Sequence, residues 1–374
     1  MKILILSVTA GQGHNATAKA LAAMLEARSH EVEVADTFRK TSRMLYTFVD
    51  KGYLLAASRF KKLYGQGYYR LEKRKSNSYT SSFARLAYRA IAKKLNKFIK
   101  EKDPDVIVCA HVFSAMLLDI IKQRYGLRAK TVGIVTDFAM HPYWEETLRL
   151  DRLVLANDFL IPAALRKGFR REQLLTTGIP IHPKFSQSVG KREAKEALGF
   201  DPEKPLLLLM SGSMGYGNMV KLLKELDSSR HDFSIASVSG NNKKTFEAIE
   251  KESWQKPLQN IGFTDKVELL MDAADCIVTK PGGLTASEAL AKRLPLIIAN
   301  PIPGQEVHNS EFLQNCGTAM GSSATHPLPD AVHLFFAHPR VRESMMENIE
   351  LIRRPKASSD LCDAVEGLLA EAKN

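Results

Sequence analysis

The residues best placed to do chemistry lie in three glycine-rich turns, each following an apolar run. In the first, Gly11-Gln12-Gly13-His14-Asn15-Ala16, an imidazole stands where a helix begins. A histidine with an ordinary pKa is largely neutral at cellular pH and can take the proton of an attacking hydroxyl. The same ring could instead contact an anion or cap the helix start. The turn also satisfies G-x-G-x-x-A, with Asp36 about twenty residues on, which is formally the dinucleotide fingerprint. An NAD-dependent oxidoreductase is therefore a rival reading. His14 counts against it, because the ring fills the space such glycines clear for a pyrophosphate.

The second turn, Ser211-Gly212-Ser213-Met214-Gly215-Tyr216-Gly217, follows the run LLLLM. Its backbone N–H groups and two hydroxyls converge at a helix start, a geometry that binds phosphate oxygens without a lysine or a metal. It lacks the G-K-[ST] ending of a nucleoside triphosphatase loop. In the third, Thr279-Lys280-Pro281-Gly282-Gly283-Leu284-Thr285-Ala286-Ser287-Glu288, two glycines open a helix whose N-terminus again suits an anion. Glu288 adds a carboxylate for ribose hydroxyls. The loop Asn300 to Asn309 then brings Gln305, Glu306 and His308 behind the strand LPLIIA. Loops at the carboxyl ends of parallel strands are where open α/β sheets bind ligands.

Short apolar strands alternating with helical periodicity position these turns. They read as ILILSV, EVEVAD, DVIVCA, KTVGIVTD, RLVLAN and a closing segment TTGIPI, then PLLLLM, FSIASV, DCIVTK and LPLIIA. The pattern predicts parallel sheets with crossover helices, and a chain of 374 residues is long for one core. The expected organisation is two domains, 1–186 and 187–357, with a final helix over about 358–374 able to return to the first.

The net charge of +12 is local. Residues 39–102 hold eighteen Lys and Arg against Asp50, Glu72 and Glu101, so that segment carries +15 and the remainder −3. Tyr46, Phe48, Tyr53, Phe60, Tyr64, Tyr68 and Tyr69 are interleaved with its cations, among them Lys61, Lys62 and Arg74. Rings among head groups and cations against anionic lipid are what a membrane interface selects. The same composition can bind nucleic acid, but no nucleic-acid motif accompanies it. No apolar run reaches the roughly 18 residues of a spanning helix, so the expectation is a cytoplasmic protein, peripheral on the inner face of the cell membrane. Cys109, Cys276, Cys316 and Cys362 show no metal or disulfide spacing, and neither metal nor cofactor is expected.

In combination, KPGGLTASEAL with PxPGQExxN, the GxSMGxG loop, GxGHNATA and VTDFAMHPYW resemble family 28 glycosyltransferases, closest to the bacterial processive diacylglycerol glucosyltransferases and the plant monogalactosyldiacylglycerol synthases. The resemblance runs from Ser7 to about Thr318. It implies a GT-B fold, two Rossmann-like domains with parallel sheets facing across a cleft. It also implies inverting transfer of a hexose from a UDP-sugar, a substrate rather than a cofactor, to the 3-hydroxyl of diacylglycerol. Carried across, Ser211, Gly212, Ser213, Gly283, Leu284 and Thr285 contact the diphosphate and Phe263 lies near the uracil. Glu288 holds the ribose, and Gln305 and Glu306 hold sugar hydroxyls. His14 is the leading base. Asp137 and His141 match the family's TD motif, Asp137 as a second candidate base or an orienter of the acceptor; Gly13 and His141 go with the acceptor. A polyprenyl-linked acceptor and a non-catalytic UDP-sugar sensor are the other readings these residues allow.

Overall fold

The computed structural model describes residues 1–9, 12–42, 82–212 and 218–370. The chain divides into two compact units. The first is Met1–Pro183 with Pro303–Gln305 and Lys356–Asn374; the second is Lys184–Ile302 with Glu306–Pro355. Each is built on its own parallel sheet.

In the first unit the strands are β1 (Lys2–Ser7), β2 (Glu31–Asp36), β3 (Val106–Cys109), β4 (Lys130–Ile134), β5 (Arg152–Val154) and β6 (Leu174–Leu175), in the order β2-β1-β3-β4-β5-β6. β3 is buried throughout and β1 beyond its first residue. Such unbroken apolar runs, rather than alternation, are what a strand covered on both faces requires. The chain leaves β1 to one side for β2 and returns on the other side as β3, so the topological switch point lies at the carboxyl ends of β1 and β3.

The named helices of this unit are α1 (Gly13–Ala27), α2 (Thr37–Thr41), α3 (Ser82–Lys102) and α4 (Val112–Tyr125). The closing segment expected at TTGIPI is not a strand. Pairing with β5 ends at Leu175, and after Gly178 donates to Leu155 the prolines at 180 and 183 bring no N–H to a ladder.

The second unit holds β7 (Leu206–Met210), β8 (Ser234–Val238), β9 (Leu258–Ile261), β10 (Cys276–Thr279), β11 (Leu296–Ile298) and β12 (Ala319–Gly321), ordered β12-β11-β10-β7-β8-β9. Numbered from its own first strand, this is the 3-2-1-4-5-6 order of dinucleotide-binding sheets, and its switch point falls between β7 and β10. Helix α5 (Gly283–Ala291) follows β10 and α6 (Gln305–Asn315) follows β11. β9 and β12 are not among the strands read from the sequence: LQNI is half-buried and half polar, and AMG is three residues long.

The start of this unit is tied down by a buried ion pair. Lys292 Nζ lies 2.6 Å from Asp272 Oδ2, each side chain 2 % exposed. Asp272 also accepts from Ser188 Oγ at 2.7 Å and from Val189 N at 3.2 Å, and Lys292 donates to the Gln187 carbonyl.

The final helix, α7 (Ala357–Ala370), belongs to the first unit. Its Leu361, Cys362, Val365 and Leu368 join Ala18, Leu21, Ala22 and Leu25 of α1 in one core, each fully buried Leu or Val contributing roughly 1.5–3 kcal/mol. Arg28 and His30, just past α1, reach Asp363 and Glu366 on its outer side.

Candidate active site

Both sheets bring the chemistry of the sequence to their switch points. In the first unit His14 follows β1 and His111 follows β3, with ring centroids 4.4 Å apart, edge to face. His14 does not cap its helix: the N-cap is Gln12, which makes no side-chain cap bond. Its Nδ1 lies 2.9 Å from the Ala110 carbonyl and 2.9 Å from Thr136 Oγ1. A carbonyl only accepts, so Nδ1 carries the proton and donates, leaving the lone pair on Nε2.

The neighbouring rings have the opposite tautomer. His111 Nδ1 accepts from Phe113 N at 3.1 Å as the N-cap of α4. His141 Nδ1 accepts from Tyr143 N at 3.2 Å. Both therefore carry their proton on Nε2. Phe113 and Tyr143 continue the ring contacts from His111 to His141. The half-buried Asp137 sits one residue beyond Thr136, and Gly13 opens α1 in an exposed position.

Burial keeps these rings neutral. It brings His14 down to about 4, partly offset by the Ala110 carbonyl, which favours the imidazolium. It brings His141 to about 4, with the charge of Lys167 adding to the effect. His111 is pushed well below the ordinary range by burial, then by His14 and His141. The native values lie below the ordinary 6.5, so between about 6.5 and 4 the unfolded chain binds more protons than the folded one. Their contribution to stability is therefore complete above pH 6.5 and lost as pH falls toward 4. The Tm measured by calorimetry should fall across that window, and His111→Asn should flatten the fall.

The acid of the dinucleotide fingerprint is already engaged. Asp36 Oδ2 accepts from Thr9 N at 2.8 Å and Thr9 Oγ1 at 2.7 Å, while Oδ1 caps α2 through Arg39 N at 2.8 Å. Asn15 accepts from Ser7 Oγ at 2.6 Å and donates to Thr9 Oγ1 at 3.2 Å. Asp36 thus holds Thr9 and caps α2, and the oxidoreductase reading is not favoured.

In the second unit Ser211 and Gly212 follow β7, Gly212 with φ +71°. Beside them, beyond β10, α5 begins at Gly283 after a Gly282 N-cap that makes no side-chain bond. The first-turn amides of Gly283, Leu284 and Thr285 therefore have no intrahelical acceptor. Leu209, Met210, Ser211, Thr279, Lys280 and Asn300 line one small cavity at this switch point. Glu288, further along α5, is pushed up to about 8, first by burial and then by Glu268, with Lys184 opposing. A carboxyl poised there can both donate to and accept from a vicinal diol. Phe263, past the end of β9, is 71 % exposed.

Gln305 and Glu306 open α6. Glu306 Oε1 pairs with Lys280 Nζ at 2.7 Å, and Oε2 accepts from Ile302 N at 2.9 Å. The buried Asn309 donates to the Pro281 carbonyl at 3.0 Å, which ties α6 to the loop after β10. Among the described residues there is no His, Cys, Asp and Glu grouping of metal-binding type and no helix long and apolar enough to cross a membrane. Ser213, Tyr46, Phe48, Tyr53, Lys61, Lys62, Tyr68 and Arg74 lie outside the described residues.

His111, Thr136 and Lys280 are absent from the sites read off the sequence. His111 had a signal, a histidine between an apolar strand and a helix, which is an N-cap position. Thr136 stands in the quoted VTDFAMHPYW run, but nothing local shows its contact to His14, which spans 122 positions.

The family model described as monogalactosyldiacylglycerol synthase matches residues 14–181. A processive diacylglycerol beta-glucosyltransferase of Bacillus licheniformis is 29% identical over 373 residues, covering 97% of this chain and 94% of that protein. Among solved structures, MurG of Acinetobacter baumannii is similar with a TM-score of 0.65 at 14% identity, covering 98% of this chain and 99% of that one. UGT89C1 of Arabidopsis thaliana, complexed with UDP-L-rhamnose, gives 0.62 at 13% identity, covering 97% and 98%. The resemblance read from the motifs is borne out, and the fold is that of GT-B glycosyltransferases.

Proposed function

We propose that this hexosyltransferase moves glucose from UDP-glucose to the 3-hydroxyl of 1,2-diacylglycerol at an anionic membrane surface, giving a β-glycoside. The likeness to a diacylglycerol beta-glucosyltransferase along nearly the whole of both chains carries the reading.

His14 Nε2 takes the acceptor proton as the oxygen attacks the anomeric carbon. The bond from that carbon to the diphosphate oxygen breaks, its electron pair leaves with UDP, and a single displacement inverts the centre. The Ala110 carbonyl and Thr136 fix the tautomer and stabilise the imidazolium as it forms, the part an acid plays behind a catalytic histidine elsewhere. His141 and Asp137 orient the acceptor. Ser211, Gly212 and the open N-terminus of α5 hold the diphosphate, Glu288 the ribose, and Gln305 and Glu306 the sugar.

Phe263 covers the uracil. So exposed a ring adds little to the core, and stacking on a base is worth roughly 1–3 kcal/mol. Phe263→Ala should leave the Tm unchanged and weaken UDP about 5- to 150-fold by titration calorimetry.

Toward the membrane, α3 buries Ala92, Leu95 and Ile99 and exposes Arg89, Lys93, Lys97 and Lys100 at a spacing of three and four residues. That cationic stripe suits anionic head groups, at about 1 kcal/mol per Lys or Arg near the surface. The cytoplasmic leaflet, where such lipids concentrate, is the surface that this stripe fits.

Radiolabelled UDP-glucose and UDP-galactose, offered separately with vesicles of anionic lipid and diacylglycerol, test the proposal. Label should enter lipid from UDP-glucose. Label from UDP-galactose alone would reassign the hexose. UDP binding without transfer would return the polyprenyl-acceptor and sensor readings.

A further inference from the structure

We infer that Lys280 is a catalytic residue of the donor site, the positive charge that meets the diphosphate as it leaves. The inference rests on the UDP-sugar reading above.

Lys280 is the residue immediately after β10, at the switch point of its sheet. It faces the glycine turn after β7: a Cβ placed on Gly212 would lie 3.3 Å from Lys280 Cε, and Lys280 lines the cavity there together with Ser211 and Asn300. The uncapped amides of α5 begin three residues further on. A cation, the Ser211-Gly212 pair after β7 and an open helix N-terminus thus converge on one point.

The ammonium is aimed from the other side. Glu306 holds Nζ through Oε1 and is itself fixed by Ile302 N, while Asn309 fixes Pro281, the residue after the lysine. The side chain remains 24 % exposed, so the charge is positioned without being sealed in. Cleavage of the bond to the anomeric carbon delivers an electron pair to the β-phosphate oxygen. A charge already in place stabilises that developing anion more than the bound substrate. The pair also joins the two donor loops, because Glu306 is itself one of the two residues proposed to hold the sugar. Lys280 thus links the phosphate and hexose ends of one substrate.

The test measures UDP and uridine binding by calorimetry and glucosyl transfer by kinetics, in the full chain. Lys280→Gln should weaken UDP and leave uridine unchanged, with kcat down roughly 10²- to 10³-fold, the effect of removing one preorganised donor to a developing oxyanion. Lys280→Arg should recover part of both. The double variant Lys280→Ala/Glu306→Ala leaves neither partner with an unmatched charge, and should show the same selective loss of UDP even if Lys280→Gln folds poorly. Equal losses for UDP and uridine, or wild-type kcat in Lys280→Gln, would overturn the inference while the wild-type enzyme still transferred glucose. A wild-type protein that neither binds UDP nor transfers glucose would overturn the donor reading itself.

Discussion

His14→Ala should lower kcat by roughly 10²- to 10⁴-fold, the usual contribution of a general base, and leave UDP affinity unchanged. The ring makes its contacts within the first unit, through Nδ1 to Ala110 and Thr136, so its removal takes away a proton acceptor and no donor contact. Its position near 4 in the free enzyme adds a pH signature. The neutral form persists far below neutrality, so kcat/KM should hold as pH drops through 6.5 and fall only on approach to 4, the opposite of an unshifted histidine. Asp137→Asn distinguishes orienter from base: an orienter leaves that acid limb where it is. Unchanged turnover in His14→Ala would remove the residue from the mechanism, and lost UDP binding would make it a donor ligand.

The second large effect is on stability. Lys292→Ala leaves the carboxylate of Asp272 buried at 2 % exposure without its cation. Breaking a buried pair from one side typically costs about 3–5 kcal/mol. Ser188 and Val189 still reach Asp272, which softens the loss without replacing a charge. Chemical denaturation should show the full penalty in Lys292→Ala and much less in Lys292→Met/Asp272→Leu, where both charges are gone and the volume is kept. Equal penalties would mean that the bonds from residues 187–189, rather than the charge pair, hold the start of the second unit.

Much of this was legible in the sequence because strand runs buried on both faces leave an unmistakable apolar signature. LLLLM and VIVC are such runs, and the glycine turns after buried strands located both switch points. What escaped was of two kinds. Short or half-polar edges such as LQNI and AMG carry too few apolar residues to announce a strand, and the proline of TTGIPI ends a ladder its composition resembles. The other losses are contacts between distant positions. Thr136 meets His14 across 122 positions and Lys280 meets Glu306 across 26, and no local pattern encodes which loops a sheet order brings together. Asp36 shows the converse. Its spacing from the first glycine turn fits a ribose ligand, yet the fold uses it to cap α2 and hold Thr9.

The most direct measurement is proton NMR of the lipid product isolated from enzyme, UDP-glucose and diacylglycerol vesicles. Glucose is expected on the 3-hydroxyl, with the large diaxial coupling of a β-anomeric proton. An α-anomer would contradict the single displacement, and a diacylglycerol recovered without sugar while UDP binds tightly would contradict the acceptor.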